Sequence, residues 1–356
     1  MSARSHDYYQ YRTLEPGEIR LLEIEPKENL YAVLVCHLKH CFFDDLADVS
    51  VDGRRKKKYE ALSYAWGETY RDDSHLTDLI SIEGLPLRVT SELKQALERF
   101  RQMRPSSRGL WVDAICIYQT NLQERNHQVG KISEIYSNAR QTIIWLGELD
   151  STAQITAMRR LRRLRYLPWN RFNTRHWVFE RDFLCGLLQR QWFLRRWVIQ
   201  EYMLSVRKTF VLGGQSLSHI ELSLALGRLM SELARKRSPL LFQGEWSIAP
   251  AISTNGDQRK SHAGTLLHRL HTFQATEYSH PLDCVYALHG IAIDRERIAV
   301  DYSLQPQTLF LRIAAVYIRG YDTLALLFAS ALVRPRNPRW PSWLPDWHKP
   351  PTGTAL

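Results

Sequence analysis

The stretch Leu110–Gly147, LWVDAICIYQTNLQERNHQVGKISEIYSNARQTIIWLG, decides the fold. Leu110–Ile117 is apolar except for Asp113, the pattern of a strand buried on both faces. Asn121 with Glu124 reads as a capping box that opens a helix. That helix buries Val129, Ile132 and Tyr136 on one stripe. Thr142–Leu146 then reads as a further strand, stopped by Gly147. Strand, helix and strand in succession predict an α/β class, a parallel, doubly wound sheet flanked by helices.

Upstream, Tyr59–Trp66 (YEALSYAW) is a strand of apolar and aromatic residues closed by Gly67. Leu79–Val89 reads as a hairpin around Glu83-Gly84. Next comes a helix capped by Thr90 or Ser91, with Leu93, Ala96, Leu97 and Phe100 on one stripe. Ile19–Leu22 and Leu30–Leu38 read as strands of an amino-terminal β extension, residues 1–58. Downstream, an insertion over 148–191 carries a basic helix. A helix from Trp192 to Leu204 leads to a strand at Lys208–Leu212, and a helix at Ser218–Ala234 closes a core of residues 59–234. Residues 235–356 read as a mainly helical carboxy-terminal layer, with helices near Leu266–Gln274 and Leu309–Tyr317.

A chain of 356 residues with 44% hydrophobic and 24% charged residues is globular rather than disordered. Its five cysteines are odd in number and scattered, the usage of a reducing compartment. The start, MSARSHDYYQYRTL, has no apolar segment of a secretory signal, which points to the cytoplasm. The longest apolar run, Leu324–Val333, is half the roughly 20 residues of a membrane span. The net charge of +11 concentrates at Arg54–Lys58 and Arg159–Arg165. Neither cluster comes with stacking aromatics or a nucleic-acid motif, so both read as solvated surface and no specific nucleic-acid partner is expected.

The sequence has no P-loop, no G-x-G-x-x-G after a strand, no H-E-x-x-H, no G-x-S-x-G and no C-x-x-C. Cys36-His37-Leu38-Lys39-His40-Cys41 resembles a metal cluster, but in extended chain successive side chains face opposite ways, so a strand end is expected and no metal. Cys116 with His127 downstream suggests a nucleophilic pair, set against the commoner reading of a core thiol. Asp113 is costly in an apolar strand unless it is hydrogen-bonded. It therefore contacts a ligand at the strand's carboxyl end or bonds a neighbouring loop. In Trp197-Val198-Ile199-Gln200-Glu201, the carboxylate of Glu201 lies one helical turn from the Trp197 ring. Arg195 and Arg196 beside it can hold an anion or pair with acids.

Taken together, Tyr59–Glu68 (YEALSYAWGE), Leu110–Gly147 and Arg196–Glu201 (RWVIQE) resemble the three signatures of the fungal heterokaryon incompatibility (HET) domain. Asp283–Gly290 (DCVYALHG), Asp301-Tyr302 and Pro341–Trp347 (PSWLPDW) resemble its downstream pattern, so the likeness runs from Tyr11 to Trp347. Tyr118 departs from it, standing where the family usually has Asn. Cys284, Ala287 and His289 likewise replace the usual Lys, Gly and Leu. A remoter resemblance is to Toll/interleukin-receptor (TIR) domains, whose W-x-x-x-E helix is similar to Trp197–Glu201. That likeness implies a TIR-like sheet and an NAD-cleaving effector of cell death, with NAD as substrate rather than cofactor and Glu201 as the catalytic carboxylate. It also implies substrate contacts from Tyr64, Trp66, Gly67, Asp113, Cys116, Arg196, Trp197 and Gln200. Self-association or an incompatibility partner protein would accompany it. The alternatives are another enzyme of small metabolites in the same cleft and a non-catalytic interaction module.

Overall fold

β-Branched and aromatic residues in short runs between turn signals build the strands, as the computed structural model of the chain shows. It describes residues 8–26, 33–49, 55–57, 59–66, 76–103, 109–149, 151–163, 166, 178–235, 252, 264–320, 323–332 and 340–348. The strands are β1 (Glu18–Ile24), β2 (Val35–Phe42), β3 (Ala47–Val49), β4 (Arg55–Lys57), β5 (Tyr59–Ser63), β6 (Asp78–Ile82), β7 (Leu85–Val89), β8 (Gly109–Trp111), β9 (Thr142–Trp145), β10 (Lys208–Leu212) and β11 (Gln215–Ser218). The helices are α1 (Ser91–Met103), α2 (Asp113–Cys116), α3 (Leu122–Asn138), α4 (Thr152–Arg163), α5 (Val178–Leu188), α6 (Val198–Leu204), α7 (His219–Arg235), α8 (Leu266–Thr272), α9 (Asp283–His289), α10 (Pro306–Arg319) and α11 (Thr323–Leu332).

The α/β class is as expected, and the sheet is mixed rather than parallel throughout. Nine strands run in the order β11-β10-β9-β5-β8-β1-β2-β6-β7. The middle four, β10-β9-β5-β8, are parallel, with Val211 opposite Trp145, Ser63 opposite Ile144 and Ala61 opposite Trp111. Antiparallel partners extend this unit at both ends. β11 folds back on β10 through Gly213 at φ +54°, and β1 runs antiparallel to both β8 and β2. The hairpin β6–β7 turns through Glu83 and Gly84, both at positive φ, as the Glu-Gly pair predicts. The amino-terminal strands thus belong to the same sheet as the core. β3 and β4 form a separate two-stranded ribbon.

Both faces of the middle strands are buried. On β9, Ile143 and Trp145 join one apolar cluster and Ile144 joins the other. The first cluster packs β1, β2, α1 and α3 around Trp111 and Tyr136. The second gathers α4, α5, α6, α7 and the carboxy-terminal helices around Trp192, Phe193, Tyr202 and Phe310. Trp197 borders both.

Two expected elements are broken. The strand expected over Leu110–Ile117 stops at Trp111, and Asp113 opens a single helical turn. The turn closes because the Cys116 amide donates to the Val112 carbonyl at 2.7 Å, while the Asp113 Oδ1 accepts from the Ala114 amide at 2.8 Å. The apolar side chains remain buried either way, so burial pattern alone does not separate the two conformations. The helix expected over Trp192–Leu204 is split into a short 3₁₀ turn at Gln191–Phe193 and α6. Between them the backbone pairs with Glu277: the Arg196 amide donates to the Glu277 carbonyl and the Glu277 amide to the Leu194 carbonyl, both at 2.7 Å.

α3 begins as expected, with the Asn121 side chain accepting from the Glu124 amide at 3.1 Å. The reciprocal half of the box is replaced, since Glu124 turns to Arg20 and to the Tyr118 amide. The basic stretch on α4 exposes Arg159, Arg160, Arg162 and Arg163 while burying Met158 and Leu161, and Arg160 pairs with Glu180 at 2.9 Å. Arg54, Lys58, Arg165 and most of Arg235–Gly264 lie outside the described residues. Among the described residues no helix is long and apolar enough to cross a membrane.

Candidate active site

Parallel neighbours put the carboxyl ends of β5 and β8 at one edge of the sheet, the usual place for ligands in open α/β sheets. β5 runs on into Tyr64 and Trp66, and β8 into Asp113. The Trp66 indole Nε1 donates to Asp113 Oδ2 at 3.0 Å, and the Gln119 side chain donates to the Asp113 carbonyl at 2.8 Å. The Tyr64 and Trp66 rings lie nearly parallel with centroids 6.3 Å apart. Arg195 closes the group. Its Nη1 donates to the Tyr64 carbonyl, and its guanidinium lies 6.0 Å from the Trp66 ring centroid.

Glu201 reaches this group from the first turn of α6, its amide bonded to the Trp197 carbonyl at 3.4 Å. The residue is 4% exposed, and its Oε2 has no hydrogen-bond partner among the described residues. Burial pushes its carboxyl up to about 7. Arg195 pulls against that rise, Asp113 adds to it, and the hydroxyls of Ser63 and Tyr136 favour the ionised form. Asp113, which keeps some solvent contact, is pushed up to about 6, first by burial and against the pull of Arg195. Burial also raises the Tyr136 phenol, and the negative Glu201 and Asp113 raise it further. The result is two carboxylates of separately tuned acidity near one guanidinium, with an aromatic pair alongside. Such a group can hold a cation, and either acid can move a proton near neutral pH.

Of the residues named from the sequence, Tyr64, Trp66, Asp113 and Glu201 lie near one another. Trp197 stands at the seam of the two cores. Arg196 and Gln200 face elsewhere. The fully buried guanidinium of Arg196 donates to Thr276 Oγ1 and to the carbonyls of Phe273, Gln274, Thr276 and Cys284, at 2.8–3.3 Å. Gln200 Oε1 accepts from the Gly290 amide at 3.2 Å. Cys116 is a capped core thiol: Sγ accepts from the Val112 amide at 3.3 Å, and burial pushes its pKa up to about 12. It is protonated at neutral pH and so is not a thiolate nucleophile. Gly67 lies outside the described residues.

Sequence reasoning left out Ser63 and Tyr136, and it named Arg196 rather than Arg195 as a substrate contact. A serine inside an apolar strand and a tyrosine on a helix's apolar stripe carry the pattern of core residues. Only the packing of α3 and α6 against β5 brings them to the carboxylate.

In the Cys36–Cys41 stretch, His37 bonds Glu25 and Glu83 at 2.7 and 3.0 Å, while Cys36 is buried on the other face of β2. Among the described residues no group of three or more His, Cys, Asp or Glu could hold a metal ion.

The profile of the family described as Heterokaryon incompatibility protein (HET) matches residues 59–201, a span that includes Tyr64, Trp66, Asp113 and Glu201. The chain is also 24% identical, over 422 aligned positions, to Heterokaryon incompatibility protein 6, OR allele, of Neurospora crassa. That alignment covers 93% of this chain and 58% of the Neurospora protein, so the chain spans little more than half the length of this relative. No solved structure matches the chain. The family profile and the curated relative agree that the chain is similar to HET-domain proteins, the profile over residues 59–201.

Proposed function

We propose that the chain is an incompatibility effector that hydrolyses NAD at the nicotinamide–ribose bond, with Glu201 as the catalytic carboxylate. The observation that carries this reading is the buried Glu201, whose Oε2 has no hydrogen-bond partner among the described residues, grouped with Asp113, Arg195 and the Trp66 ring. The bonded nicotinamide of NAD is already cationic, so it departs with the electron pair of the broken C–N bond and needs no acid to protonate it. The positive charge passes to the ribose, and a fixed anion there stabilises the transition state. Water then bonds to the anomeric carbon. Its proton passes to Glu201 and on to solvent, giving ADP-ribose and nicotinamide. Trp66, partly exposed, offers its ring to the pyridinium.

Incubation of purified protein with NAD, at dilute and high concentration, tests the proposal by nicotinamide release. Wild-type release that disappears in Glu201→Gln supports it. No release by the wild type at any concentration sinks it. The raised pKa values of both Asp113 and Glu201 favour a second reading, acid–base chemistry on another small metabolite. A metabolite screen separates that reading from a non-catalytic interaction module. The name of the Neurospora relative supports a role in incompatibility; cell death, and a partner protein or self-association as its trigger, belong to the proposal.

A further inference from the structure

Glu201 is the last residue of the segment that the family profile matches, yet the chain around it is also tied to residues beyond that segment. Arg195 and Arg196 take opposite roles. Arg195 faces the two carboxylates, while Arg196 places its guanidinium among acceptors of the carboxy-terminal layer and under the Tyr278 ring, 4.6 Å from the centroid. The backbone on either side of Arg195 is pinned by its two bonds with Glu277. One turn on, Gln200 is tied to the Gly290 amide at the end of α9. Gly290 has no room for a side chain, since a Cβ there would lie 2.6 Å from Gln200 Oε1 and 3.0 Å from Ser133 Cβ on α3. Residues before and beside Glu201 are thus fixed from the same layer, at three separate points.

We propose that Arg196, Gln200 and Gly290 are positioning residues, which set the place of Glu201 and make the carboxy-terminal layer part of the catalytic unit. A seven-residue helix has little stability of its own, so its docking decides where its side chains lie. A small displacement of a reacting group costs orders of magnitude in rate. The proposal rests on the reading of Glu201 as the catalyst, but the position of Glu201 can be observed without any substrate. The groups that face it are Arg195 from its own segment, Asp113 from α2, Ser63 from β5 and Tyr136 from α3. A shift of α6 changes its separation from all of them.

The test uses the full chain with Gly290→Ala, which drives the Gln200 amide from its bond, and Gln200→Met, which removes the acceptor at similar volume. Arg196→Lys keeps the charge and loses the fork. Glu201 is titrated by carbon NMR on glutamate-labelled protein and assigned with Glu201→Gln, while nicotinamide release gives kcat and KM. Folded variants should show the Glu201 titration displaced and kcat down about tenfold or more at little-changed KM. Arg196→Lys, if folded, should titrate between them and wild type. If folded Gly290→Ala and Gln200→Met titrate as wild type does, the positioning role is wrong. Because Gln200→Met adds no bulk, it decides the matter even should Gly290→Ala fail to fold. Absence of nicotinamide release by the wild type defeats the functional reading alone, and the titrations still decide the positioning.

Discussion

The indole of Trp66 and the carboxylate of Asp113 are joined by a 3.0 Å hydrogen bond that ties the exit of β5 to the turn after β8. Asp113 Oδ1 is taken up by the Ala114 amide, so each oxygen of this carboxylate has a donor. In Asp113→Asn one oxygen remains to accept, and one donor loses its partner at a cost of about 1–3 kcal/mol. The same change removes a charge that burial opposes. Above the ordinary value of 3.8, the rise to about 6 lowers native stability as pH climbs through about 6. At about 1.4 kcal/mol per pH unit, that loss has an upper bound of about 3 kcal/mol. The two effects offset at pH 7, so Asp113→Asn should melt near wild type there and below it at pH 4, with nicotinamide release impaired throughout. A variant that melts as wild type at both pH values and keeps full activity would remove Asp113 from the site.

The acidity of Glu201 gives a second prediction. Its carboxyl is raised from 4.5 to about 7 in the folded chain, mainly by burial, so the native state holds the proton more tightly than the unfolded state does. The associated stability is fully present below about pH 4.5 and is lost as pH rises through about 7, at most about 3 kcal/mol. Activity moves the other way, because the ionised form does the work. The kcat for nicotinamide release should climb about tenfold per pH unit below 7 and level off above it. A kcat profile flat from pH 5 to 9 would contradict this role.

Much of this was legible in the sequence because the decisive signals were local. Glu83-Gly84 gave the hairpin, Asn121 the start of α3, and the apolar run Thr142–Leu146 the strand β9. What could not be read were choices made by distant partners. Asp113 opens a turn because the chain closes through Val112 and Cys116 at no cost in burial. Arg195 and Arg196 are the same residue type at consecutive positions, and only Glu277, Thr276 and Cys284 decide which of them faces the carboxylates. The antiparallel place of β1 beside β8 is likewise fixed by residues nearly a hundred positions away.

Arg20, fully buried on β1, grips Glu124 in the first turn of α3 through two bonds of 2.6 and 3.0 Å. It also donates to the carbonyls of Cys116 and Arg12. Removing one member of a buried pair leaves an uncompensated charge, so Arg20→Met should cost about 3–5 kcal/mol. Arg20→Met with Glu124→Met should cost less than the sum of the single changes. Chemical denaturation of all four proteins measures this. A loss under about 1 kcal/mol for Arg20→Met would mean that β1 is an appendage rather than part of the core sheet.

Glu201 carries the mechanism, and two substitutions separate its charge from its position. Glu201→Gln keeps the size and hydrogen-bonding capacity and removes the anion from a site where positive charge develops. Loss of several kcal/mol of transition-state stabilisation, at about 1.4 kcal/mol per tenfold in rate, predicts a fall in nicotinamide release of about a hundredfold or more. The protein itself should be more stable, because Gln is spared the burial of a charge. The melting temperature of Glu201→Gln should exceed that of wild type at pH 8, and the gap should close near pH 4.5. Glu201→Asp keeps the charge and draws it back by one methylene, so it should lose activity severely while retaining the wild-type trend of stability with pH. These outcomes are coupled: a residue that costs stability at neutral pH and is indispensable for catalysis is one whose burial serves the reaction. If Glu201→Gln releases nicotinamide at the wild-type rate, the catalyst lies elsewhere. A higher melting temperature would then record only the relief of a buried charge.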